Sequence, residues 1–325
     1  MENLPPPPGI ISSIKAGFDT IAAHITAILF PLLLNLFLWL GPRLHVDDLF
    51  NLVMDDAISI WKTGGASAEE IQQILDWYQK TIPTTNLFWL LRTFPIGVSS
   101  LLFPRTESAT PFGVPSILQV NAFSLFGWII LLTVIGWVGG GLYFRSVAQI
   151  SVENKDEKPV GILYAIAQTM IISIIWGVLI FMIGVPLFLI LGLFLQFIPF
   201  LANILVLVIS LASMWVIVPL FFWPIGMFIK KQGVIASIMS SVQVARFTLP
   251  TSSLFVLTVF LLTFGLNFLW SIPPEDSWMT VVGIFGHSFV ATALLAGSFI
   301  YYRDMTNWLR SVINKLRPGS VPGKS

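Results

Sequence analysis

The stretch that decides the fold is a run of 71 residues, 159–229, without a charged side chain. It reads PVGILYAIAQTMIISIIWGVLIFMIGVPLFLILGLFLQFIPFLANILVLVISLASMWVIVPLFFWPIGMFI. About 20 apolar residues cross the roughly 30 Å hydrocarbon core of a bilayer as a helix, so the run holds two long helices or three short ones. The charged segments "NKDEK" before it and "KKQG" after it both indicate the cytoplasmic side, which requires an even number of crossings. We therefore predict two spans, 162–187 and 202–229, joined by an apolar hairpin at the outer interface.

The composition of the whole chain agrees with a bilayer location. Of its 325 residues 56% are hydrophobic and 10% are charged, and the mean hydropathy is +0.86. A soluble domain carries roughly a quarter of charged residues, because its surface faces water. The chain has no cysteine, which excludes disulfides and thiolate sites, and a net charge of +1 gives no indication of nucleic acid as a partner. The predicted fold class is an all-α polytopic membrane helical bundle.

Charge distribution predicts six spans with both termini in the cytoplasm. The other four predicted spans are 21–40, 123–144, 252–270 and 279–302. Of the 17 Lys and Arg residues, 12 then fall in inside segments and five outside, as the positive-inside rule requires. We expect a multi-pass protein of the bacterial cytoplasmic (inner) membrane, with the lipid bilayer as its main partner.

The outside segment 43–120 is too long for a simple connection and predicts a small helical cap. "VDDLFNLVMDDAISIW" and "SAEEIQQILDWYQK" each show an apolar stripe at helical spacing, and Ser67 with Glu70 has the spacing of a capping box. Residues 87–103 are apolar but interrupted by Arg92 and Pro95, which favours an interfacial or re-entrant segment.

The paired cap acids Asp47, Asp48, Asp55 and Asp56 raise the question of calcium binding. An EF-hand needs alternating oxygen ligands around a glycine and a closing glutamate, and this pattern is absent. Solvated faces of amphipathic helices commonly carry such acids, so no metal site is predicted.

Two stretches on the inner side predict amphipathic helices that lie on the inner leaflet. Residues 232–247 carry an apolar stripe flanked by Lys230, Lys231 and Arg246, and residues 303–317 repeat the design. Cations beside an apolar face suit anionic headgroups, although contact with a partner protein is an alternative.

The sequence carries no recognisable reaction centre. The GxxxxGK[ST], HExxH and GxSxG motifs are absent, and the three histidines are dispersed. Gly136 and Gly140 in "GWVGGG" are four residues apart near the inner end of a span, which favours close helix packing over phosphate binding. No catalytic residue, cofactor or metal site is predicted.

His287 is the one histidine placed near the middle of a span. The helix around it carries small residues on almost every side, which predicts a central position in the bundle. A neutral imidazole there needs a hydrogen-bond partner, and Asn267, Gln168 or Asn35 could supply it. These four residues are the predicted polar positions of the bundle core, and we expect His287 to be structural because no charged residue is predicted at its depth.

The last third of the chain carries a family resemblance. "WVIVPLFFWPIGMFIKKQGVIASIMSSVQVAR", followed by a span and "GHSFVATALLAGSFIYYRD", resembles bacterial six-span membrane proteins of uncharacterised function. It is similar to the membrane domain found beside some glycerophosphoryl diester phosphodiesterases. The matching positions are Pro219, Gly233, Ala236, Ser240, Tyr302 and Asp304. The resemblance implies a membrane fold and lends no catalytic residues. The large outside cap departs from the pattern, and hydrolase activity is not implied.

Three functions are compatible with these observations. The favoured one is a non-enzymatic structural or assembly component, with other membrane subunits as partners. The second is a transporter or permease subunit for a hydrophobic or amphipathic solute, because prolines such as Pro186, Pro199 and Pro219 indicate broken helices. The third is a lipid-acting enzyme at the outer leaflet that uses the cap acids.

Overall fold

A computed structural model of the chain describes residues 6–102, 109–152 and 160–316. These ranges form ten α-helices and one pair of three-residue parallel strands, which confirms the all-α fold class. The helices are α1 (Ile10–Ala23), α2 (Leu29–Leu40), α3 (Asp47–Thr63), α4 (Ala68–Thr81), α5 (Ala122–Ser151), α6 (Ile162–Leu179), α7 (Val185–Phe197), α8 (Pro199–Lys230), α9 (Val234–Trp270) and α10 (Met279–Leu316). The strands are β1 (Arg43–His45) and β2 (Ile117–Gln119).

Four helical stretches are long and apolar enough to cross a membrane unbroken. They are α5, the run Ile162–Leu195 through α6 and α7, α9 and α10. Two bent pairs pass the same test together: α1 with the stretch Ile25–Leu40, at 97°, and the two halves of α8, at 43°. The described residues therefore contain four candidate spans, or six if each bent pair crosses once, which indicates a multi-pass membrane protein.

α10 is the centre of the bundle, as its small residues predict. More than half of its most apolar window, 56%, is buried, against at most 22% in the other three unbroken candidates. Ala293, Ala296 and Phe299 are fully buried, and Phe222 of α8 stacks on Tyr302 with ring centroids 5.5 Å apart. Small side chains on several faces let α1, α2, α5, α8 and α9 all contact this one helix.

The first predicted span, 21–40, differs from the structure at its inner end. The helix begins at Ile10, and the chain turns sharply at His24, whose φ and ψ of −128° and 57° are not helical. α1 packs antiparallel to α10, with Phe18 against Phe289. The polar residues of α1 lower its mean hydropathy, so hydropathy alone does not identify it as part of the bundle. Its apolar face nevertheless packs on α10.

The long uncharged stretch contains less loop than the sequence predicts. α6 continues through a π-helical turn, Ile180–Gly184, into α7, and Ile198 alone separates α7 from α8. Pro186 has no backbone N–H, and a π turn accommodates the interrupted hydrogen-bond ladder. The hairpin predicted for residues 188–201 is thus mostly helix.

The two predicted inner-surface helices are parts of longer helices. Residues 234–247 form the first section of α9, which kinks at Thr248 two residues before Pro250. In this section Ser237 is fully buried and its hydroxyl donates to the Trp223 carbonyl at 2.7 Å. Residues 303–316 continue α10 without a break. An amphipathic stripe shows only that something covers one face of a helix. In the first section of α9, other helices cover much of that face, where the sequence predicted contact with lipid.

The cap has the predicted helical hairpin. Ser67 and Glu70 form both hydrogen bonds of the capping box at the start of α4. The Ser67 backbone and hydroxyl lower the pKa of Glu70, since both donate to its carboxylate. Tyr78 donates to Asn51 at 3.0 Å and holds α4 against α3.

Gly17 tests the seam between α1 and α10. A Cβ atom at Gly17 would overlap the Ala293 carbonyl and the Gly297 backbone, so a larger residue must separate the helices. We expect Gly17→Leu to lower the free energy of unfolding by about 3 kcal/mol, the upper range for overpacking. Gly127→Leu on α5 is the control, because nothing lies within 4 Å of that position. If both variants had the same thermal stability in detergent, the close contact between α1 and α10 at Gly17 would be contradicted.

Candidate functional site

Residues 86–102, here called the re-entrant segment, run from the cap into the helical bundle and back. Leu87–Leu91 form a short 3-10 helix, and the rest has no regular structure. Asn86 fixes the entry, because its side-chain oxygen accepts from the backbone N–H of Leu44 at 3.0 Å and of Phe88 at 3.1 Å. The segment packs against α5 and α2 within the bundle.

The glycines of α5 make room for the descending half of the segment. A Cβ atom on Gly136 would lie 2.8 Å from the Leu91 carbonyl oxygen, and one on Gly140 would lie 2.8 Å from the Ile96 carbonyl oxygen. The predicted role of Gly136 and Gly140 was close packing against another helix. Here Gly136 instead receives the end of the 3-10 helix, and Gly140 receives the irregular backbone that follows it.

Asn35 of α2 holds the returning half. Its side chain is fully buried, and its oxygen accepts from the Ser100 hydroxyl and the Leu101 N–H, each at 2.8 Å. Its amide donates to the carbonyls of Pro31 at 2.7 Å and Ser99 at 3.3 Å. One side chain thus satisfies backbone groups that no helix or strand serves.

The tip of the segment closes one side of a cavity of about 420 Å³ between α5, α6, α8, α9 and α10, here called the bundle cavity. The lining is mostly apolar and consists of Phe94, Pro95, Gly97, Ser99, Tyr143, Phe144, Trp176, Ile217, Leu220, Phe221, Pro224, Ile225, Val259, Phe260, Thr263, Ala291, Leu294, Leu295 and Ser298. The Tyr143 hydroxyl donates to Thr292 at 3.1 Å, and that of Ser298 to Leu294 at 2.8 Å. These polar groups are already satisfied, so they do not demand a polar ligand.

Phe94 lies at the edge of this cavity. It is 61% exposed, and its ring contacts Trp176 of α6 with centroids 5.2 Å apart. The indole nitrogen of Trp176 is buried without a hydrogen bond to the described residues. The Phe94–Trp176 contact is the point where the segment tip touches α6.

The structure brings His287 to one of its three proposed partners. Its Nδ1 atom lies 2.6 Å from the Asn267 side-chain oxygen. Asn35 binds the re-entrant segment, and Gln168 accepts from the backbone N–H of Val234 at 3.2 Å. The four predicted polar core residues therefore serve three separate places.

The second ring nitrogen of His287 has no hydrogen-bond partner as close as Asn267 within the described ranges. Nε2 is buried and makes no hydrogen bond within the described ranges. The Ser99 backbone, in the re-entrant segment, approaches the ring as a hydrogen-bond partner.

The cap acids do not form a reaction centre within the described part of the chain. Asp47 pairs with His45 at 3.1 Å, while Asp48 and Asp56 point outward, and the side chain of Asp55 lies outside the described atoms. The described residues contain no group of three or more His, Asp or Glu side chains that could hold a metal ion. Burial and the charge of Asp47 raise the pKa of Tyr78, which is a local effect between α3 and α4.

The cavity itself was not predicted from the sequence. Its signals are an apolar stretch broken by Arg92 and Pro95, and glycines spaced four apart on α5. The broken apolar stretch and the spaced glycines each have a common alternative explanation. Only their contact in the fold shows that the glycines of α5 make room for the re-entrant segment.

Replacing Asn35 tests the anchoring of the re-entrant segment. We expect Asn35→Leu to lower the free energy of unfolding by about 3 kcal/mol, because Ser100 and Leu101 lose their buried acceptor. Thermal unfolding in detergent measures this change, and Asn203→Leu, on the exposed surface of α8, is the matched control. Indistinguishable unfolding of the two variants would show that the segment does not depend on Asn35.

Comparison with known proteins yields no relative for this chain: no protein family, no curated protein and no solved structure matches it.

Proposed function

We propose that this protein binds an amphipathic molecule by its acyl chain in the bundle cavity, as a transporter or permease subunit and without catalysing a reaction. The observation that carries the proposal is the cavity of about 420 Å³ bordered on one side by the re-entrant segment. Ligand sites commonly measure about 300–1,000 Å³, are largely apolar and are few in a protein. The volume and lining fit an acyl chain better than a hydrophilic solute.

The backbone of the re-entrant segment supports this choice. Non-helical backbone at membrane depth is tolerated where it is buried in protein or lines a cavity, and Phe94–Ser99 does both. Transporters use such interrupted segments at their binding sites.

We also propose six spans, both termini in the cytoplasm and a location in the bacterial inner membrane. The count follows if each bent pair is one crossing, and the 12-to-5 distribution of Lys and Arg supports the orientation. The protein has no natural cysteine, so a single introduced cysteine reports its own side.

A structural or assembly role is the second candidate. The run from Ile162 to Phe197 has 36 residues, or about 54 Å of helix at 1.5 Å per residue, which exceeds the roughly 30 Å apolar core. Large apolar side chains near its far end are exposed: Phe188 by 76%, Phe197 by 72% and Phe200 of α8 by 77%. An apolar hairpin of this length favours contact with lipid or with another membrane subunit.

Cysteine labelling tests the topology. We expect a membrane-impermeant maleimide to label Lys80→Cys and Asp276→Cys in intact cells, because both positions are exposed on the proposed outer side. Asn307→Cys on the inner extension of α10 is expected to react only after the membrane is permeabilised. The reverse pattern, or labelling of all three in intact cells, would contradict the orientation.

Photocrosslinking in nanodiscs tests the ligand site. A phospholipid with a diazirine in its acyl chain is expected to label peptides that contain 94–99, 259–263 and 291–298. Thr263→Trp fills the cavity and is expected to reduce this labelling about tenfold, equivalent to about 1.4 kcal/mol of binding free energy. Leu261→Trp, two residues away on the exposed face of α9, is the control and should leave it unchanged.

Two other results would decide against the proposal. Labelling confined to lipid-facing positions would show that the cavity holds no acyl chain. Crosslinks between this chain and another membrane protein through the α7–α8 hairpin, without cavity labelling, would favour the assembly role instead.

A further inference from the structure

Arg92 is a partly buried cation of the re-entrant segment. Its guanidinium lies 4.8 Å from the centre of the Trp89 ring and donates to the Leu102 carbonyl at 3.3 Å. Within the described ranges no carboxylate forms an ion pair with it. Ionisable groups at membrane depth are costly and are retained when they pair with a partner or act on a ligand.

The guanidinium borders a second pocket that shares a wall with the bundle cavity. This pocket of about 530 Å³ is lined by Trp89, Arg92, Thr93, Phe94, Pro95, Gly97, Val98 and Ser99. Four of these residues, Phe94, Pro95, Gly97 and Ser99, also line the bundle cavity. The same short backbone thus borders a pocket with a cation and a pocket that is apolar.

A further polar atom of this wall has no partner within the described ranges. The Ser99 hydroxyl is buried without a hydrogen bond. Unsatisfied buried polar atoms are rare in native proteins, so an unpaired hydroxyl in the same pocket lining as a guanidinium without an ion pair indicates a polar ligand group.

The depths of the two pockets match a molecule with a head and a tail. Arg92 reaches Leu102, which packs with Trp39 and Ile284 near the outer end of α10. The bundle cavity contacts α10 from Ala291 to Ser298, which starts seven residues, or about 10 Å, further along the helix. A headgroup at Arg92 would therefore place its chain toward the cavity.

We propose that the protein binds an anionic amphiphile, with its acidic group on the Arg92 guanidinium and the Ser99 hydroxyl and its acyl chain in the bundle cavity. This inference rests on the proposed function and adds the charge class of the ligand. Arginine suits phosphate and carboxylate alike, because its planar donors bind two oxygens at once. A phospholipid phosphate and a fatty-acid carboxylate share this chemistry.

The experiment compares three photoactivatable probes in nanodiscs that contain the full chain. They are phosphatidylglycerol and phosphatidylcholine with the same diazirine acyl chain, and a diazirine fatty acid. We expect phosphatidylglycerol to label the cavity peptides about tenfold more than phosphatidylcholine, a difference of about 1.4 kcal/mol. Labelling by the fatty acid at the phosphatidylglycerol level would assign the carboxylate as an equal ligand, and weaker labelling would assign the phosphate.

Variants at Arg92 separate a headgroup contact from a structural role. Arg92→Gln is expected to lower phosphatidylglycerol labelling to the phosphatidylcholine level and to leave phosphatidylcholine labelling unchanged. Arg92→Lys, which keeps the charge but loses the planar fork, should retain part of the preference. Lys80→Gln, an exposed cap cation, is the control and should change neither.

Each failure has its own meaning. Equal labelling by both phospholipids in the wild-type protein, or an unchanged preference in Arg92→Gln, would overturn the anionic headgroup site while the cavity proposal stands. The absence of cavity labelling by any probe would overturn the proposed function and this inference together. If Arg92→Gln fails to fold, the wild-type comparison and Arg92→Lys still decide the matter.

Discussion

The site depends on how Asn35 satisfies the backbone of residues 99–101. These residues lie among helices, where an unpaired N–H or carbonyl costs several kcal/mol and water is not available to bind it. The Asn35 side chain makes two donor and two acceptor contacts, of which three go to the re-entrant segment and one to its own helix. It therefore fixes the position of the segment and the orientation of α2 with the same atoms. Without such a bond the segment would have to become helical or leave the bundle.

Packing of small residues provides the space that this hydrogen bonding requires. Gly136 and Gly140 admit the descending backbone on α5, and Gly17 with Gly297 lets α1 approach α10 closely. Association of helices in lipid gains little from the hydrophobic effect, because the surrounding chains are as apolar as leucine. Close contact and interhelical hydrogen bonds must supply the stability. The glycines thus have a positive role, since they bring backbones near enough for dispersion forces to act.

The sequence predicted the features that follow from average polarity and periodicity. Low charge placed the chain in a bilayer, small residues placed α10 at the centre, and Asn267 was one of three partners suggested for His287. Periodicity could not tell what covers an apolar stripe, so the first section of α9 was assigned to lipid although Ser237 is buried in protein. Hydropathy also missed the break at His24, because a bend depends on what each half packs against.

The candidate site was harder to predict because its parts are far apart in the sequence. Arg92 and Pro95 interrupt an apolar stretch, which indicates irregular structure but not its neighbours. The Ser99 hydroxyl shows as an unpaired polar group only when the fold places it in the same pocket lining as Arg92. A search for motifs finds fixed spacings within one segment, and this site has none.

For the proposed ligand, the membrane environment makes the polar groups at Arg92 and Ser99 more important for recognition than the apolar cavity. An acyl chain that leaves the bilayer for an apolar cavity exchanges one hydrocarbon environment for another, so burial alone gives little preference for any lipid. The difference in binding free energy between two amphiphiles must then come from their headgroups. Arg92 has no carboxylate partner in the described ranges, and it lies against the wall that the two pockets share. In the proposed site, a cation in that position would favour an acid over a neutral headgroup, whereas the cavity would take the chain of either.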